Sequence, residues 1–245
     1  MHSKTKKVSI ITVVYNSELL IEGTIQSVVN QTYDNIEYIV IDGASTDNTL
    51  YIIEKYKSHI DIFISESDKG LYDAMNKGLK LATGDYVWFM NSGDHIHTSK
   101  TVEEMMAKND NDADIIYGEV MMVEEDRSQL GTRSETTHQK LPADLTWKSL
   151  KYGMVVCHQA FLPKRTITKP YISDNLSADI DWVIHCLKKS KANLATDMIL
   201  ADFLIGGISK KRHKESLWGR YRILKQHYGF IPNLLNHLYI VFRSF

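Results

Sequence analysis

Apolar positions recur along the chain in two periods, one typical of buried strands and the other of helices. Residues 8–14, 36–41, 60–65 and 86–90 are short runs rich in β-branched and aromatic side chains, a pattern that favours parallel strands buried on both faces. Between the last two runs, Leu71, Met75, Leu79 and Ala82 recur at intervals of three and four residues, which predicts an amphipathic helix. Strand and helix alternate through the first 95 residues, so we predict an α/β fold with a mostly parallel sheet flanked by helices.

The alternation becomes less regular beyond about residue 110. We predict strands over residues 115–123, 158–163 and 193–204, and a loop over the polar residues 128–142. Helical spacing of apolar residues predicts helices near residues 180–187, 216–228 and 231–242. The sequence contains no internal repeat, low-complexity segment or proline-rich linker, and this favours one main domain followed by a helical extension.

Composition excludes several classes of protein. The chain has 245 residues, of which 43% are hydrophobic and 24% charged, as in an ordinary globular protein. Its 29 basic and 30 acidic side chains nearly cancel, which argues against a nucleic-acid partner. Cys157 and Cys186 stand in no zinc or redox motif, so we expect reduced thiols and a cytoplasmic protein. No apolar run approaches the roughly 20 residues of a membrane-spanning helix.

Acidic side chains follow three of the four strands predicted in the first half. Asp42 follows the second strand, Asp68 the third and Asp94 the fourth, and the carboxyl ends of parallel strands meet at one edge of the sheet. These carboxylates could hold a divalent cation or accept hydrogen bonds from a nucleoside, although caps and turns use the same residue types. Because no G-x-G-x-x-G and no P-loop motif is present, a Rossmann dehydrogenase or a P-loop NTPase is disfavoured.

The first 94 residues also resemble the family 2 glycosyltransferases. The stretches that carry this resemblance are residues 8–16 (VSIITVVYN), 31–32 (QT), 37–47 (EYIVIDGASTD), 65–78 (SESDKGLYDAMNKG), 84–85 (GD) and 89–94 (FMNSGD). The resemblance implies a glycosyltransferase A fold, a nucleotide-sugar donor, inversion at the anomeric carbon and a divalent metal, Mn²⁺ or Mg²⁺.

The resemblance also assigns residues on the donor side. It implies that Asp42 binds the base and ribose and that Asp68 is a second nucleotide-side acid. The nucleotide-sugar-binding residues that we expect are Val14, Tyr15, Asn16, Asp42, Asp68, Asn91 and Ser92. Residues 91–94 (NSGD) occupy the place of the Asp-x-Asp metal motif, but Asn91 and Gly93 each remove a carboxylate. Asp94 is therefore the expected direct metal ligand, in a site weakened by the loss of charge.

The second half supplies a candidate general base. Asp179 matches an acidic position of the family, while Ala178 stands where the family has Glu. A carboxylate there would take the proton of the acceptor hydroxyl, although Asp179 and Asp181 could also cap the helix or favour its dipole. Because consecutive helical residues point about 100° apart, only one of the two acids can face the pocket. The resemblance to the family implies that this acid is Asp179. The acceptor-side candidates, each with a structural alternative, are His158, Gln159, Asp181 and Trp182.

The C-terminal segment combines basic residues with an apolar helical stripe. Residues 206–209 (GGIS) resemble a mobile loop over the donor diphosphate, and residues 210–225 hold seven basic side chains against one acid. Apolar residues then line one face of the last helix, so it could lie on the inner face of an anionic membrane, pack on the core or contact a second subunit. We predict a catalytic domain over residues 1–209 and a basic, amphipathic extension over 210–245. The domain divides into a nucleotide-binding half, 1–95, and an acceptor-side half, 96–209.

The predicted function is transfer of a sugar, with inversion, from a nucleotide sugar to a hydroxyl group. We expect a UDP-linked donor and a glycan or lipid-linked glycan acceptor, in the synthesis of cell-surface polysaccharide. The alternative is a binding protein for nucleotide sugars or glycans on the same fold. The departures at Asn91 and Gly93 favour that alternative, and the acid at Asp179 favours the enzyme.

Overall fold

The first half of the chain forms a parallel four-stranded sheet. The computed structural model describes residues 5–206 and 212–243. The strands of this sheet are β1 (Val8–Val14), β2 (Ile36–Asp42), β3 (Ile62–Ser65) and β4 (Tyr86–Phe89). They lie in the order β3-β2-β1-β4, with all neighbours parallel. Every residue of β1 is buried, as its β-branched pattern predicts.

Helices cover both faces of this sheet. They are α1 (Ile21–Val29), α2 (Thr49–Lys55) and α3 (Leu71–Leu81). α1 and α2 pack with the side chains of Val8, Ile10 and Val40 on one face, and α3 packs with those of Ile11 and Ile39 on the other. The predicted α/β class with a parallel sheet flanked by helices is therefore confirmed.

A second, mixed sheet forms in the less regular part of the chain. Its strands are β5 (His95–Ile96), β6 (Ile115–Val123), β7 (Gln129–Thr132), β8 (Phe161–Pro163) and β9 (Asn193–Leu204). The order is β5-β9-β6-β7, and β8 also pairs with β6. β6 and β9 are parallel, whereas the other pairs are antiparallel. The short helix α4 (Thr101–Ala107) connects β5 to β6. The predicted strands belong to two sheets because pairing depends on distant segments, which local periodicity does not report.

Two local predictions for this half are wrong. The expected loop over residues 128–142 contains β7 and the short helix α5 (Arg133–Thr136). Thr132 and Glu135 cap α5 reciprocally, in the capping-box pattern that stabilises helix starts. The expected strand over residues 158–163 begins instead with a turn of 3₁₀ helix at His158–Ala160, and β8 starts only at Phe161. β7 has four residues, one of them glycine and none of them buried, so it carries no alternating apolar signal to detect.

Three longer helices complete the described chain: α6 (Ala178–Lys189), α7 (His213–Tyr228) and α8 (Phe230–Arg243). α7 packs against the start of α6, where the Ser177 hydroxyl donates to the Ser216 carbonyl at 2.9 Å. The Asn175 amide also donates to the Gly219 carbonyl at 3.2 Å. Among the described helices, none is long and apolar enough to cross a membrane. The predicted loop residues 207–209 lie outside the described residues.

Candidate active site

Asp42 lies at the carboxyl end of β2 with one carboxylate oxygen lacking a partner. Its Oδ2 accepts from the Ser65 hydroxyl at 2.7 Å and from the Ser45 backbone N–H at 3.0 Å. Its Oδ1 is buried and has no hydrogen-bond partner among the described residues. Leaving a buried acceptor unpaired is unfavourable. A ligand that donates an N–H or O–H group to Oδ1 would relieve this cost. Ser45 and Ser65 already hold the carboxylate in the orientation that such a ligand would meet.

The loop after β1 faces Asp42 across the sheet edge. Val14 is paired with Asp42 in the strand register, and its carbonyl accepts from the Gly43 N–H at 2.9 Å. Asn16 has a left-handed backbone, with φ of 44°, and its side chain accepts from the Thr46 N–H at 2.8 Å. This turn leaves Tyr15 64% exposed, although an aromatic residue is more often buried. The ring is therefore available to stack on a flat ligand.

Asp68 approaches the same edge from the segment after β3. A Cβ at Gly43 would lie 3.0 Å from Asp68 Oδ2 and 3.3 Å from Tyr15 Cδ2. A glycine therefore allows the side chains of Asp68 and Tyr15 to approach the backbone at the end of β2. Asp68 also forms an ion pair with Lys77 at 2.5 Å. Hydrogen bonds from Lys77 to Asp68 and Glu66 raise the lysine pKa to about 12. Asp68 thus brings a cation to the sheet edge as well as its own charge.

Residues 91–94 form a tight turn after β4. The Asp94 N–H donates to the Asn91 carbonyl at 2.9 Å, and Gly93 has a φ of +102°, which favours glycine. The Ser92 hydroxyl hydrogen-bonds to the Ser17 hydroxyl at 2.7 Å. The buried Oδ1 of Asn91 has no hydrogen-bond partner in the described part of the chain. This turn therefore presents a second unpaired oxygen near the strand ends.

Asp94 is buried and hydrogen-bonded through both carboxylate oxygens. Oδ1 accepts from the Leu204 N–H at 3.0 Å and Oδ2 from the Gln159 amide at 2.9 Å. Burial raises its pKa to about 7, although these bonds and the nearby charge of Arg127 act in the opposite direction. The Arg127 guanidinium itself donates to the Gly93 carbonyl at 2.8 Å. Gln159, expected on the acceptor side, thus holds the candidate metal ligand.

The donor set suits a cation held by few protein ligands. The described residues contain no group of three or more His, Cys, Asp and Glu side chains arranged to bind a metal. Each Asp94 oxygen has accepted one hydrogen bond and retains a second lone-pair direction, and the Asn91 amide oxygen is unpaired. Mg²⁺ is commonly bound by one or two carboxylates together with substrate phosphates. Asp94 and Asn91 fit such a site, in which a diphosphate supplies further ligands.

Asp179 lies in the first turn of α6 and lines a cavity of about 210 Å³. Its Oδ1 accepts from the Ile180 N–H at 3.0 Å and, at 3.4 Å, from the hydroxyl of Tyr72. Burial raises its pKa to about 6, against the smaller lowering effect of these hydrogen bonds. The carboxyl group is therefore mostly ionised at pH 7 and close to the range in which a general base works best.

Tyr72 connects this cavity to the nucleotide side. It belongs to α3, which follows the Asp68 segment, and also donates to the Leu176 carbonyl at 3.2 Å. The Cys157 thiol feels the charges of Arg133, Asp94 and Asp179, although burial is the main cause of its raised pKa. The charges of Asp94 and Asp179 therefore both reach the Cys157 thiol.

The other acid of α6 points elsewhere, as the helical geometry predicts. Asp181 is buried, forms an ion pair with Lys169 at 2.6 Å and is hydrogen-bonded to His227 Nε2 at 2.7 Å. Those hydrogen bonds and charges lower its pKa in spite of burial. Its carboxylate links α6 to α7 and is not among the cavity-lining groups.

His158 and Trp182 are also in the packed core. His158 Nε2 hydrogen-bonds to the Tyr171 hydroxyl at 2.7 Å, and burial lowers its pKa to about 4. Trp182 is fully buried and donates to the Lys169 carbonyl at 2.8 Å. The structure brings neither side chain to the cavity, in agreement with the structural alternative.

Sequence reasoning missed several residues of the cavity. Arg133, Ser216 and Arg220 line it together with Asp179, yet Arg133 lies in the segment predicted as a loop and the other two lie in the predicted extension. In the sequence, Arg220 is one of seven basic residues between positions 210 and 225, and nothing distinguishes it from the other six. Tyr72 was part of the motif that carries the resemblance, but no pattern pointed to its contact with Asp179.

Comparisons with known proteins agree with this geometry. Residues 9–169 match the family described as glycosyl transferase family 2. A relative from Escherichia coli, named UDP-Glc:alpha-D-GlcNAc-diphosphoundecaprenol beta-1,3-glucosyltransferase WfaP, is 28% identical over 250 residues. This alignment covers 95% of the chain and 96% of the relative.

Two solved structures have the same fold. One is Staphylococcus aureus TarS 1–349 in complex with UDP-GlcNAc, with a TM-score of 0.71 at 19% identity. The match covers 89% of the chain and 65% of TarS 1–349, so the chain spans slightly less than two thirds of that protein. The other is the Pyrobaculum calidifontis mannosyltransferase PcManGT in complex with GDP-Man and Mn²⁺, with a TM-score of 0.70 at 16% identity, covering 97% and 70% of the two chains. The family match spans well over half of the sequence, and the chain belongs to glycosyl transferase family 2.

Proposed function

We propose that this glycosyltransferase transfers a sugar from a UDP-linked donor to a hydroxyl of a glycan or lipid-linked glycan, with inversion. The observation that carries the proposal is the placement of two acids. Asp42 offers an unpaired oxygen at the carboxyl edge of the parallel sheet. Asp179 lines a cavity, and its carboxylate accepts a hydrogen bond from Tyr72 of α3, the helix that covers this sheet. The Escherichia coli relative is named for its activity on a diphosphoundecaprenol-linked sugar, which supports a role in cell-surface polysaccharide synthesis.

The donor would bind along the edge formed by the ends of β1 to β4. The unpaired oxygen of Asp42 would accept from the base or ribose, and Tyr15 would stack on the base. Val14 and Asn16 shape this loop, while Asp68 holds Lys77 near the edge. Asn91 and Ser92 would meet the donor near its diphosphate.

The chemistry assigned to the cavity is a single displacement. The acceptor oxygen attacks the anomeric carbon, the bond from that carbon to the diphosphate oxygen breaks, and the nucleoside diphosphate leaves. The proton of the acceptor hydroxyl passes to the Asp179 carboxylate, which Tyr72 orients by its hydrogen bond. Attack from the side opposite the leaving group inverts the configuration. A carboxyl group with a pKa of about 6 is ionised and ready to accept this proton at pH 7.

Mn²⁺ or Mg²⁺ would be held by Asp94 and Asn91 together with the donor diphosphate. Such an ion would neutralise charge on the leaving diphosphate. The mannosyltransferase with the same fold was solved with GDP-Man and Mn²⁺, which supports metal use in this fold. Gln159 and the Leu204 N–H would fix the orientation of the Asp94 carboxylate.

We assign a peripheral membrane contact to α8, on the inner face where a reduced protein would meet its lipid-linked acceptor. Apolar side chains remain exposed along this helix, including Ile231 at 68%, Leu235 at 61% and Leu238 at 59%. Exposed Arg222 and Lys225 of α7 lie next to it in the chain. An apolar face beside basic residues suits the interface of an anionic bilayer. Vesicle flotation with and without phosphatidylglycerol tests this, and a concentration-dependent dimer without vesicle binding would indicate a second subunit instead.

One experiment tests the catalytic proposal. The purified chain is titrated calorimetrically with UDP-sugars and GDP-sugars, with and without Mn²⁺, and the bound donor is then offered a diphosphate-linked lipid acceptor. We expect selective binding of a UDP-sugar and a product whose anomeric configuration, read by NMR coupling constants, is opposite to that of the donor. Retained configuration would contradict the displacement, and binding without any transfer would contradict the assigned acceptor class.

A further inference from the structure

The cavity at Asp179 is built from residues between α5 and the start of α6, together with α7. Its wall includes Arg133 of α5, Asp179 of α6, and Ser216 and Arg220 of α7. Two arginines thus line the same space of about 210 Å³ as the candidate base. This space is too small for an extended glycan but comparable to a single sugar ring or a diphosphate.

α7 is held firmly at this cavity. Ser177 and Asn175, which precede α6, donate to the Ser216 and Gly219 carbonyls of α7 at 2.9 and 3.2 Å. A Cβ on Gly219 would collide with the Asn175 amide, so the glycine permits this close approach. These contacts place Arg220 beside the first turn of α6.

Neither arginine forms an ion pair with a carboxylate among the described residues. Arg220 Nε is buried and has no hydrogen-bond partner among the described residues. Arg133 donates to the Met154 carbonyl, a neutral group, and no ion pair to either arginine occurs within residues 5–206 and 212–243. Both side chains are half-buried, and removing a cation from water without an anion beside it is unfavourable. A bound anion would compensate this cost and would satisfy Arg220 Nε.

We propose that Arg133 and Arg220 bind a phosphate or diphosphate group of the acceptor beside Asp179. This inference rests on the proposed function and specifies its acceptor class. Two guanidinium groups match the charge of a diphosphate diester, and their planar donors suit phosphate oxygens. The arginines would also shield the acceptor's phosphate from the negative charge of Asp179. The acidic strand ends Asp42 and Asp94 do not line this cavity, so the donor diphosphate is not the assigned occupant.

The probe is octyl diphosphate, titrated calorimetrically in the presence of saturating UDP. UDP fills the donor site, so that only a separate anion site responds. We expect the wild type to bind this probe but not neutral octyl glucoside. Arg133→Gln and Arg220→Gln should each weaken probe binding by about tenfold or more, as expected for loss of a charged hydrogen bond.

Arg212→Gln is the matched control. Arg212 is exposed, precedes α7 and pairs with Glu215, so its loss removes the same charge without touching the cavity. This variant should bind the probe like the wild type. UDP affinity and the melting temperature, measured on every variant, verify that the donor site and the fold are intact.

Three results would overturn the inference. Equal probe affinity in all variants would show that the arginines do not bind the phosphate. Competition between UDP and the probe would assign the anion site to the donor. Binding of octyl glucuronide in place of octyl diphosphate would indicate a carboxylate-bearing acceptor. Failure of the wild type to bind any nucleotide, by contrast, would contradict the proposed function itself.

Discussion

Replacing Asp179 by Asn should slow transfer strongly while leaving donor binding intact. Asn keeps the size of the side chain. Its carbonyl oxygen can still accept from the Ile180 N–H and the Tyr72 hydroxyl, which in the wild type lie 3.0 and 3.4 Å from Asp179 Oδ1. It cannot accept the proton of the acceptor hydroxyl. Positioned general-base catalysis contributes about 10²–10⁴-fold, so we expect kcat to fall by that factor.

The same substitution should stabilise the protein. Burial raises the Asp179 pKa from 3.8 to about 6, so the folded state disfavours the ionised form. Stability contributed by the protonated form is present at low pH and is lost as the pH rises from the ordinary carboxyl range through about 6. One pKa unit corresponds to about 1.4 kcal/mol. Because the side chain is partly exposed, we expect a gain of about 1–3 kcal/mol for Asp179→Asn at pH 7.

The assay combines a pH–rate profile with unfolding curves. Wild-type kcat should fall as the pH drops through about 6, because the base becomes protonated, and this limb should be absent from the residual rate of Asp179→Asn. Asp174→Asn is the matched control, since Asp174 is exposed and precedes the same helix. Its rate and stability should equal those of the wild type. A kcat for Asp179→Asn within threefold of the wild type would refute the assignment, as would an unchanged acid limb.

Three further predictions concern the donor, the metal and the α6–α7 contact. Asp42→Ala should weaken UDP-sugar binding by about tenfold or more, the cost of a charged hydrogen bond, and unchanged affinity in calorimetry would contradict its nucleotide role. Asp94→Ala should abolish stimulation of donor binding by Mn²⁺, whereas Asn91→Asp should tighten Mn²⁺ by restoring a carboxylate; full wild-type activity in EDTA would contradict both. Asp181→Asn should destabilise the fold by about 3 kcal/mol at pH 7. This value is at the lower end of the cost of breaking a buried ion pair, because Lys169 is partly exposed. Since the folded pKa of Asp181 is lowered, this difference should shrink as the pH falls through that pKa, and unfolding curves showing a constant difference would contradict the ion-pair role.

Much of the structure of residues 1–95 could be predicted from the sequence, because local patterns of apolar and acidic residues specify it. A strand buried on both faces must be apolar throughout, so β1 appears as the run VSIITVV. Parallel strands bring their carboxyl ends to one edge, and that rule alone collects Asp42, Asp68 and Asp94. The spacing of α6 likewise separates Asp179 from Asp181, and the structure places the first at the cavity and the second in a buried ion pair.

The acceptor half was less predictable because its elements depend on contacts between distant segments. β7 and α5 have no buried residues, so no apolar periodicity predicts them. The pairing of β6 with β7, β8 and β9 joins segments up to about 80 positions apart. Nothing in the local pattern states which of these strands will be neighbours.

By itself, the sequence determined the α/β class, the acidic edge of the parallel sheet and the divergence of Asp179 from Asp181, since each follows from a period or a topological rule. Only the tertiary structure decided which oxygens remain unpaired, because Ser45 and Ser65 occupy one oxygen of Asp42 and leave the other free. It also decided that Arg220 joins Asp179, through hydrogen bonds that hold α7 against the start of α6. Hydrogen-bond satisfaction and cavity lining are properties of groups far apart in the chain, and folding alone brings those groups together.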